Sequence, residues 1–363
     1  MVRKGAIMRN TKRKTGKQIA LIVMSLCLIL NLFLPMTAAK SLPLSGGGTD
    51  GVAAWTFDPQ TKTMTYSGSG KVCCCEVKKW WNQTEHVIIE EGISEIAQHA
   101  FGGDEASDFP EYYKNLKDVS FPSTLKKIGD YAFEKCYYLT HIELNEGLEY
   151  IGDYAFYGTH IVEVEIPGSV KKIGKAAFEN WSSPSTTKVI LHDGLQKIGK
   201  SAFAWQKMTI CEIPDSVTQI GSEAFAVCQE LREIHLPRNL TVLESKMFTD
   251  CKKLRTLVLP DSLTKIKADS FNNIGITSLT IPPNVEELGS KLYLKDGMFY
   301  DCKKLTKVNI KTKKLKKVYK KTFINTPKKV VFVVPKGYKK KYTKMLRKGG
   351  LNKKIKIKES KKW

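Results

Sequence analysis

Apolar positions along the chain recur in a fixed grammar. Phenylalanine returns at positions 101, 133, 156, 178, 203, 225, 248, 271, 299 and 323, and the regular steps are 22 to 25 residues. The text around each one is nearly constant: VSFPSTLKKIGDYAFEKC (119–136), VEIPGSVKKIGKAAFENW (164–181), CEIPDSVTQIGSEAFAVC (211–228) and IHLPRNLTVLESKMFTDC (234–251). Within a unit, two apolar residues separated by one, such as Ile234 and Leu236, predict a short strand with alternate side chains inward. Proline or a polar residue then ends the strand, because proline cannot donate to a ladder. Val217, Ile220, Ala224 and Phe225 follow at near-helical spacing, with Gly221 allowing a tight bend. One unit cannot bury this apolar face alone. Stacked units form a continuous core, so the body is predicted to be a solenoid.

The repeated IPxSVxxIGxxAFxxC text resembles the BspA-like leucine-rich repeats of bacterial surface and secreted proteins. It spans about 240 residues in about ten copies. The chain departs from the common leucine-rich pattern, since Gly-x-x-Ala-Phe replaces the Asn ladder. The resemblance implies an α/β solenoid of about ten repeats, with parallel strands on a concave face and helical turns on the convex one. It also implies a protein that binds rather than catalyses, adhesins being among such proteins. Insertions at 102–115 and 289–297 are expected to bulge from one edge.

The two ends read as caps. WTFD and TMTYSG alternate around a turn-rich linker and predict a β-hairpin, with Trp55, Trp80 and Trp81 plugging the first rung. Residues 41–48 (SLPLSGGG) read as a flexible leader. At the other end, Val330 to Val334 predicts a strand. Tyr338, Tyr342, Met345 and Leu346 predict a helix face. Ile355 and Ile357 alternate with lysine as on an edge strand. The alternative for this tail is disorder. The expected organisation is thus residues 1–39 signal peptide, 40–85 leader and N-terminal β cap, 86–326 repeats, and 327–363 a lysine-rich β-α-β cap.

Charge sharpens this division. The formal net charge is +23. Residues 1–39 hold seven basic groups and no acid, and residues 303–363 hold 25 basic groups and one acid, Glu359. The remaining stretch has 27 basic and 35 acidic groups, so the body is mildly acidic. At the N-terminus, seven Lys and Arg precede the apolar run Ile19–Leu34, and Thr37 and Ala39 supply small residues before a cut. That is the pattern of a secretory signal peptide. The alternative, an uncleaved anchor, needs about 20 apolar residues, and this run has 16. No transmembrane span is expected after cleavage, and the protein is expected to be extracellular or associated with the cell surface.

Candidate chemistry is sparse. Gly-x-Ser-x-Gly and His-Glu-x-x-His sequences do not occur. Neither catalytic, cofactor nor metal residues are expected. Cys73-Cys74-Cys75 would alternate across a strand and so cannot jointly hold a tetrahedral ion without a sharp bend. Cys136, Cys228, Cys251 and Cys302 each follow a repeat Phe by three residues, which suits a small buried thiol. Cys228 and Cys251 do so in consecutive rungs, close enough for a candidate disulfide.

The outward strand positions define the candidate ligand face: Asp118, His141, Glu143, Glu163, Glu165, Lys188, Glu212, Glu233 and His235. Such a face suits a protein or glycan partner more than a small molecule. The rival site is the lysine-rich end, where Lys313, Lys316, Lys320, Lys339, Lys340, Lys344, Lys353 and Lys354 would contact an anionic cell-wall polymer. Nucleic acid is not an expected partner, because the tail carries a single arginine, Arg347, and the chain is read as exported.

Overall fold

The computed structural model describes residues 44–47, 53–73, 80–102, 113–181, 186–291 and 296–360. The segment read as a signal peptide, Cys74, Cys75, most of the first insertion and residues 292–295 of the second lie outside the described residues. Residues 43–363 form one compact unit.

All but one of the described repeats contribute two short strands, which stack into two parallel columns. The first column contains β3 (Thr63–Ser67), β5 (His86–Ile89), β7 (Asp118–Ser120), β10 (Glu163–Ile166), β12 (Lys188–Leu191), β14 (Ile210–Glu212), β16 (Glu233–His235), β18 (Thr256–Leu257), β20 (Ser278–Ile281), β22 (Lys307–Ile310), β24 (Val331–Val334) and β25 (Lys356–Glu359). The second column is a seven-stranded sheet running from β4 (Gly70–Val72) through β6 (Ile93–Ile96), β8 (Lys127–Ile128), β9 (Tyr150–Ile151), β11 (Lys172–Ile173) and β13 (Lys197–Ile198) to β15 (Gln219–Ile220). A four-stranded sheet continues it: β17 (Val242–Leu243), β19 (Lys265–Ile266), β21 (Glu287–Leu288) and β23 (Lys317–Val318). Among the described residues the second column therefore makes about eleven turns, one more than the phenylalanines mark, because the hairpin segment supplies the first.

The segment read as a helical turn is not helical. In every unit the residue two before the phenylalanine has a positive φ: His99, Tyr131, Tyr154, Ala176, Ser201, Glu223, Lys246, Asp269, Gly297 and Lys321. Most units repeat this two residues after the phenylalanine, at Lys135, Gly158, Trp205, Val227, Asp250, Asn273, Asp301 and Asn325. A right-handed helix cannot pass through left-handed residues. The chain zigzags instead, and its N–H groups donate across rungs: Tyr131 to Asp153, Phe133 to Ala155 and Lys135 to Tyr157, at 2.7–2.8 Å. These inter-rung bonds offset the backbone strain. The solenoid is a β-solenoid, and the α/β label is corrected accordingly. Among the described residues the single α-helix is α1 (Lys339–Lys348), in the C-terminal cap.

Glycine marks a close approach. A Cβ on Gly174 would stand 2.4 Å from the backbone of Gly152 and Asp153 in the preceding rung, so this position tolerates no side chain without moving the rungs apart.

The core is a column of phenylalanines. Ring centroids are 4.9 Å apart at Phe101–Phe133, 5.4 Å at Phe178–Phe203 and 6.4 Å at Phe225–Phe248. Neighbouring strands lie about 4.8 Å apart, so the turns splay on the phenylalanine side and close on the strand side. Tyr66 and Tyr113 cover the first ring edge-on, and Phe332 covers the last.

At the N-terminal end, β2 (Ala54–Asp58) and β3 form the antiparallel hairpin, with Trp55 opposite Tyr66. Trp80 stacks on Phe57 at 4.8 Å. Residues 44–47, read as leader, form β1 and pair antiparallel with β2. A strand edge left open offers its backbone groups to any extended neighbour, and the glycine-rich leader takes that place. At the C-terminal end, α1 buries Tyr342 and Leu346 against β23 and β25. The two residues exceptional for their charge are both structural. Glu359 accepts hydrogen bonds from the N–H groups of Gly337 (3.0 Å) and Lys339 (3.3 Å), capping α1. Arg347 donates to the carbonyls of Leu351, Asn352, Lys353 and Ile355 and clamps the loop between α1 and β25.

Candidate functional site

Strand register decides which side chains share a face. In the first column Glu163 pairs with Lys188 and Glu165 with Ile190. Ile210 pairs with Glu233 and Glu212 with His235, while His86 pairs with Asp118. Seven of the nine candidate residues therefore take outward strand positions, His141 and Glu143 stand beside Glu163, Glu165 and Lys188 in a shared groove, and each of the nine is exposed or half-exposed.

The surface is ordered by short polar contacts between rungs or within one rung. His86 Nδ1 lies 2.8 Å from Asp118 Oδ2, His141 Nε2 3.3 Å from Glu143, and His235 Nε2 2.9 Å from Glu233. Lys188 Nζ is 3.3 Å from Glu163. His192 Nε2, 2.6 Å from Glu165, belongs to the same surface. Sequence reasoning missed His192 because it follows β12, at a position where neighbouring repeats carry proline. Glu212 has no ion-pair partner among the described residues. Further along this edge, Lys117 and Lys62 clamp the Glu85 carboxylate and hold it down at about 2.

One rung interrupts the face. His141–Leu144 forms no strand, and the ladder stops at β7 and resumes at β10. The second column stays zipped at this height through β8, β9 and β11. The rung thus opens on the strand side alone, leaving a groove on each flank. One, of about 390 Å³, is lined by His141, Glu143, Glu146, Glu163, Glu165 and Lys188. The other, of about 460 Å³, is lined by Asp118, Ser120, Phe121, His141, Glu143 and Asn145.

The cysteine column has a different role from the bridge expected between Cys228 and Cys251. Both are free, fully buried thiols. Each donates to the phenylalanine carbonyl of the rung before: Cys228 to Phe203 at 3.2 Å, Cys251 to Phe225 at 3.1 Å and Cys302 to Phe271 at 2.8 Å. Both sulfurs point back along the axis, so they do not face each other. Burial pushes the Cys228 thiol up to about 12, which keeps it protonated and unreactive. In one slot that is not cysteine, Gln206 makes the same bond to the Phe178 carbonyl, while Thr159 and Thr326 bond the carbonyls of their own Phe156 and Phe323.

The eight candidate lysines of the C-terminal end are all exposed. Lys316 is paired with Glu286 at 2.8 Å. Lys339, Lys340 and Lys344 lie on α1, while Lys353 and Lys354 lie in the loop before β25. No group of three or more His, Cys, Asp or Glu is placed to hold a metal among the described residues. Nor, among them, is any helix long and apolar enough to cross a membrane.

Solved structures similar to this chain are leucine-rich repeat proteins. One, from Eubacterium ventriosum ATCC 27560, is 18% identical over 81% of this chain and 79% of its own, with a TM-score of 0.49. Another, from Bacteroides ovatus ATCC 8483, is 19% identical over 90% of this chain and 79% of its own, with a TM-score of 0.43. A leucine-rich cell surface protein from Faecalibacterium prausnitzii A2-165 is 18% identical over 75% and 96%, with a TM-score of 0.37. No curated protein matches the chain. The family described as "BspA type Leucine rich repeat region" matches residues 104–204, 181–296 and 290–361. Those segments span most of the repeat body and the cap, and the chain belongs to the BspA-type leucine-rich repeat family.

Proposed function

We propose that this is a non-enzymatic binding protein acting outside the cytoplasm, in adhesion or surface interaction, which presents its first strand column to a protein or extracellular glycan. The observation that carries the reading is the register. It aligns Asp118, Glu163, Glu165, Glu212 and Glu233 on outward strand positions, with Glu143 lining the open grooves beside the 141–144 rung. Extended solenoid faces suit macromolecular partners. The ion pairs pre-order these side chains, which lowers the entropy lost on binding.

The test is capture. The mature protein is immobilised, and the matrix or surface ligand it retains is identified. Binding is then measured for a variant carrying Glu163→Lys, Glu165→Lys and Glu233→Lys. The reading expects loss of binding with unchanged folding. Unchanged capture contradicts it.

A second reading is favoured by the cap. Its only acid, Glu359, is consumed in capping α1, so the surrounding lysines present a cationic end to cell-wall polymer. Substituting Lys339, Lys340 and Lys344 by Gln would then release the protein from isolated cell walls. Retention unchanged by these substitutions removes this reading.

A further inference from the structure

The second strand column has its own surface, distinct from both sites above. Its outward residues in β11 and β13 are Lys172 and Lys197, which lie in register as neighbours. Lys171 precedes Lys172. Lys175 and Lys200 stand one residue beyond Gly174 and Gly199, and the Ala176 N–H bonds the Lys200 carbonyl at 2.7 Å. Five lysines thus occupy two adjacent rungs, with no side chain at the glycine between the two rows.

These lysines are poorly neutralised. Among the described residues, Lys171 Nζ contacts only the carbonyls of Gly168 and Gly194. Lys172 Nζ contacts the Tyr150 hydroxyl at 3.4 Å and stands 5.0 Å from that ring. Lys175 Nζ stands 4.9 Å from the Tyr154 ring. Lys197 has no carboxylate within ion-pair distance among the described residues, and Lys200 reaches only Glu223, at 3.9 Å. Elsewhere in this column lysine meets carboxylate directly: Lys127 with Glu95 at 2.9 Å, Lys267 with Glu244 at 2.7 Å and Lys316 with Glu286 at 2.8 Å. Two acids stand nearby without a direct ion pair to these lysines: Asp153, which accepts a hydrogen bond from the Lys175 N–H at 2.8 Å, and the half-buried Glu179, which Lys200 and Lys175 influence only through space.

Half-exposed aromatic rings flank the lysines. Tyr150 lies beside Lys172 in register. Tyr154 stacks on Tyr131 at 4.9 Å, and Tyr131 on His99 at 4.7 Å. Tyr157 meets Tyr154 edge-on and binds the indole N–H of Trp181, which is 59% exposed. These rings offer apolar edges and hydroxyls beside ammonium groups that mostly lack a direct carboxylate partner. Sugar rings with attached anions complement that combination.

We propose that the second strand column binds a linear anionic polysaccharide across the rungs of β9, β11 and β13. Its charged groups pair with Lys172, Lys175, Lys197 and Lys200, and its sugar rings lie along Tyr150 and Tyr154. The site belongs to the repeat body and does not depend on the lysine-rich cap.

The test uses heparin as the probe, with uncharged dextran and inorganic polyphosphate as parallel arms. Three variants of the full chain are compared at equal thermal stability. One carries Lys172→Gln, Lys175→Gln, Lys197→Gln and Lys200→Gln. One carries Arg at the same four positions. The third carries Lys339→Gln, Lys340→Gln and Lys344→Gln in the cap. The expected result is at least about tenfold weaker heparin binding for the body Gln variant. Binding should be retained by the Arg variant, change less for the cap variant, and be absent with dextran. Heparin binding unchanged in the body Gln variant, or abolished by the cap variant alone, overturns the proposal. Polyphosphate bound as tightly as heparin, with Tyr150→Ala and Tyr154→Ala without effect on either, overturns the polysaccharide assignment.

Discussion

The two strand columns are built from the same rungs and share one core, yet they carry opposite electrostatic designs. On the first column, carboxylates dominate and most are paired with a histidine or lysine at 2.6–3.3 Å. On the second, around β11 and β13, lysines dominate and most lack a carboxylate. Net charge therefore describes neither surface. The mildly acidic repeat body is the sum of an acidic face and a basic one. The paired face is suited to specificity, since its side chains are held in place. The unpaired face is suited to charge-driven attachment, which salt weakens.

The strongest way to break this comparison is to remove what the faces share. Phe203 is fully buried between Phe178 and Phe225. Phe203→Ala should cost about 3–5 kcal/mol, read by urea unfolding, and both surfaces should fail together. A variant that lost one binding activity and kept the other would show that the columns do not depend on a common core.

A smaller effect separates stability from surface charge. Asp269 is buried beside Asp296, and burial followed by that repulsion pushes its carboxyl up to about 6. The folded state then holds a proton between about pH 4 and 6 that the unfolded chain has released. This group's contribution to stability is full below pH 4 and lost as pH rises through 6. Asp269→Asn should flatten that slope and stabilise the protein at pH 7 by about 2 kcal/mol. Asparagine also tolerates the positive φ at this position. A pH profile identical to wild type would contradict the assignment.

The smallest effect concerns the phenylalanine side. Cys228→Ala should cost about 1 kcal/mol, by removing the bond to the Phe203 carbonyl together with a small buried side chain. In the wild-type protein the same thiol should resist alkylation at pH 8 until denaturant is added. Rapid labelling of the native protein would show that the thiol column is open.

Much of this was legible in the sequence. The period, the inward positions and the outward residues of the first column follow from strand alternation, and seven of the nine candidates sit on outward strand positions, while His141 and Glu143 lie in the rung that forms no strand. The Phe+3 cysteines were recognisable as a buried slot, but the direction of each sulfur was not, because it depends on how one rung sits over the next. The second column was misread for a specific reason. Val217, Ile220, Ala224 and Phe225 have nearly helical spacing, and on a helix the lysines of VKKIGK and LQKIGK would scatter around the axis. The left-handed residues at Ala176 and Ser201 turn that segment into a strand and a zigzag, and the same lysines line up in register. Left-handed geometry at non-glycine positions has no strong sequence signature, since here it falls on His, Tyr, Ala, Ser, Glu, Lys and Asp alike. His192 and the open 141–144 rung were hidden similarly, since both depend on local departures from the repeat.

The central claim is that the first strand column is the ligand-binding face, and binding by the charge-reversed protein tests it most directly. Affinity for the captured ligand is measured for wild type and for the Glu163→Lys, Glu165→Lys, Glu233→Lys variant at matched thermal stability. Loss of binding by the folded variant is the predicted result, and wild-type affinity in that variant would contradict the account.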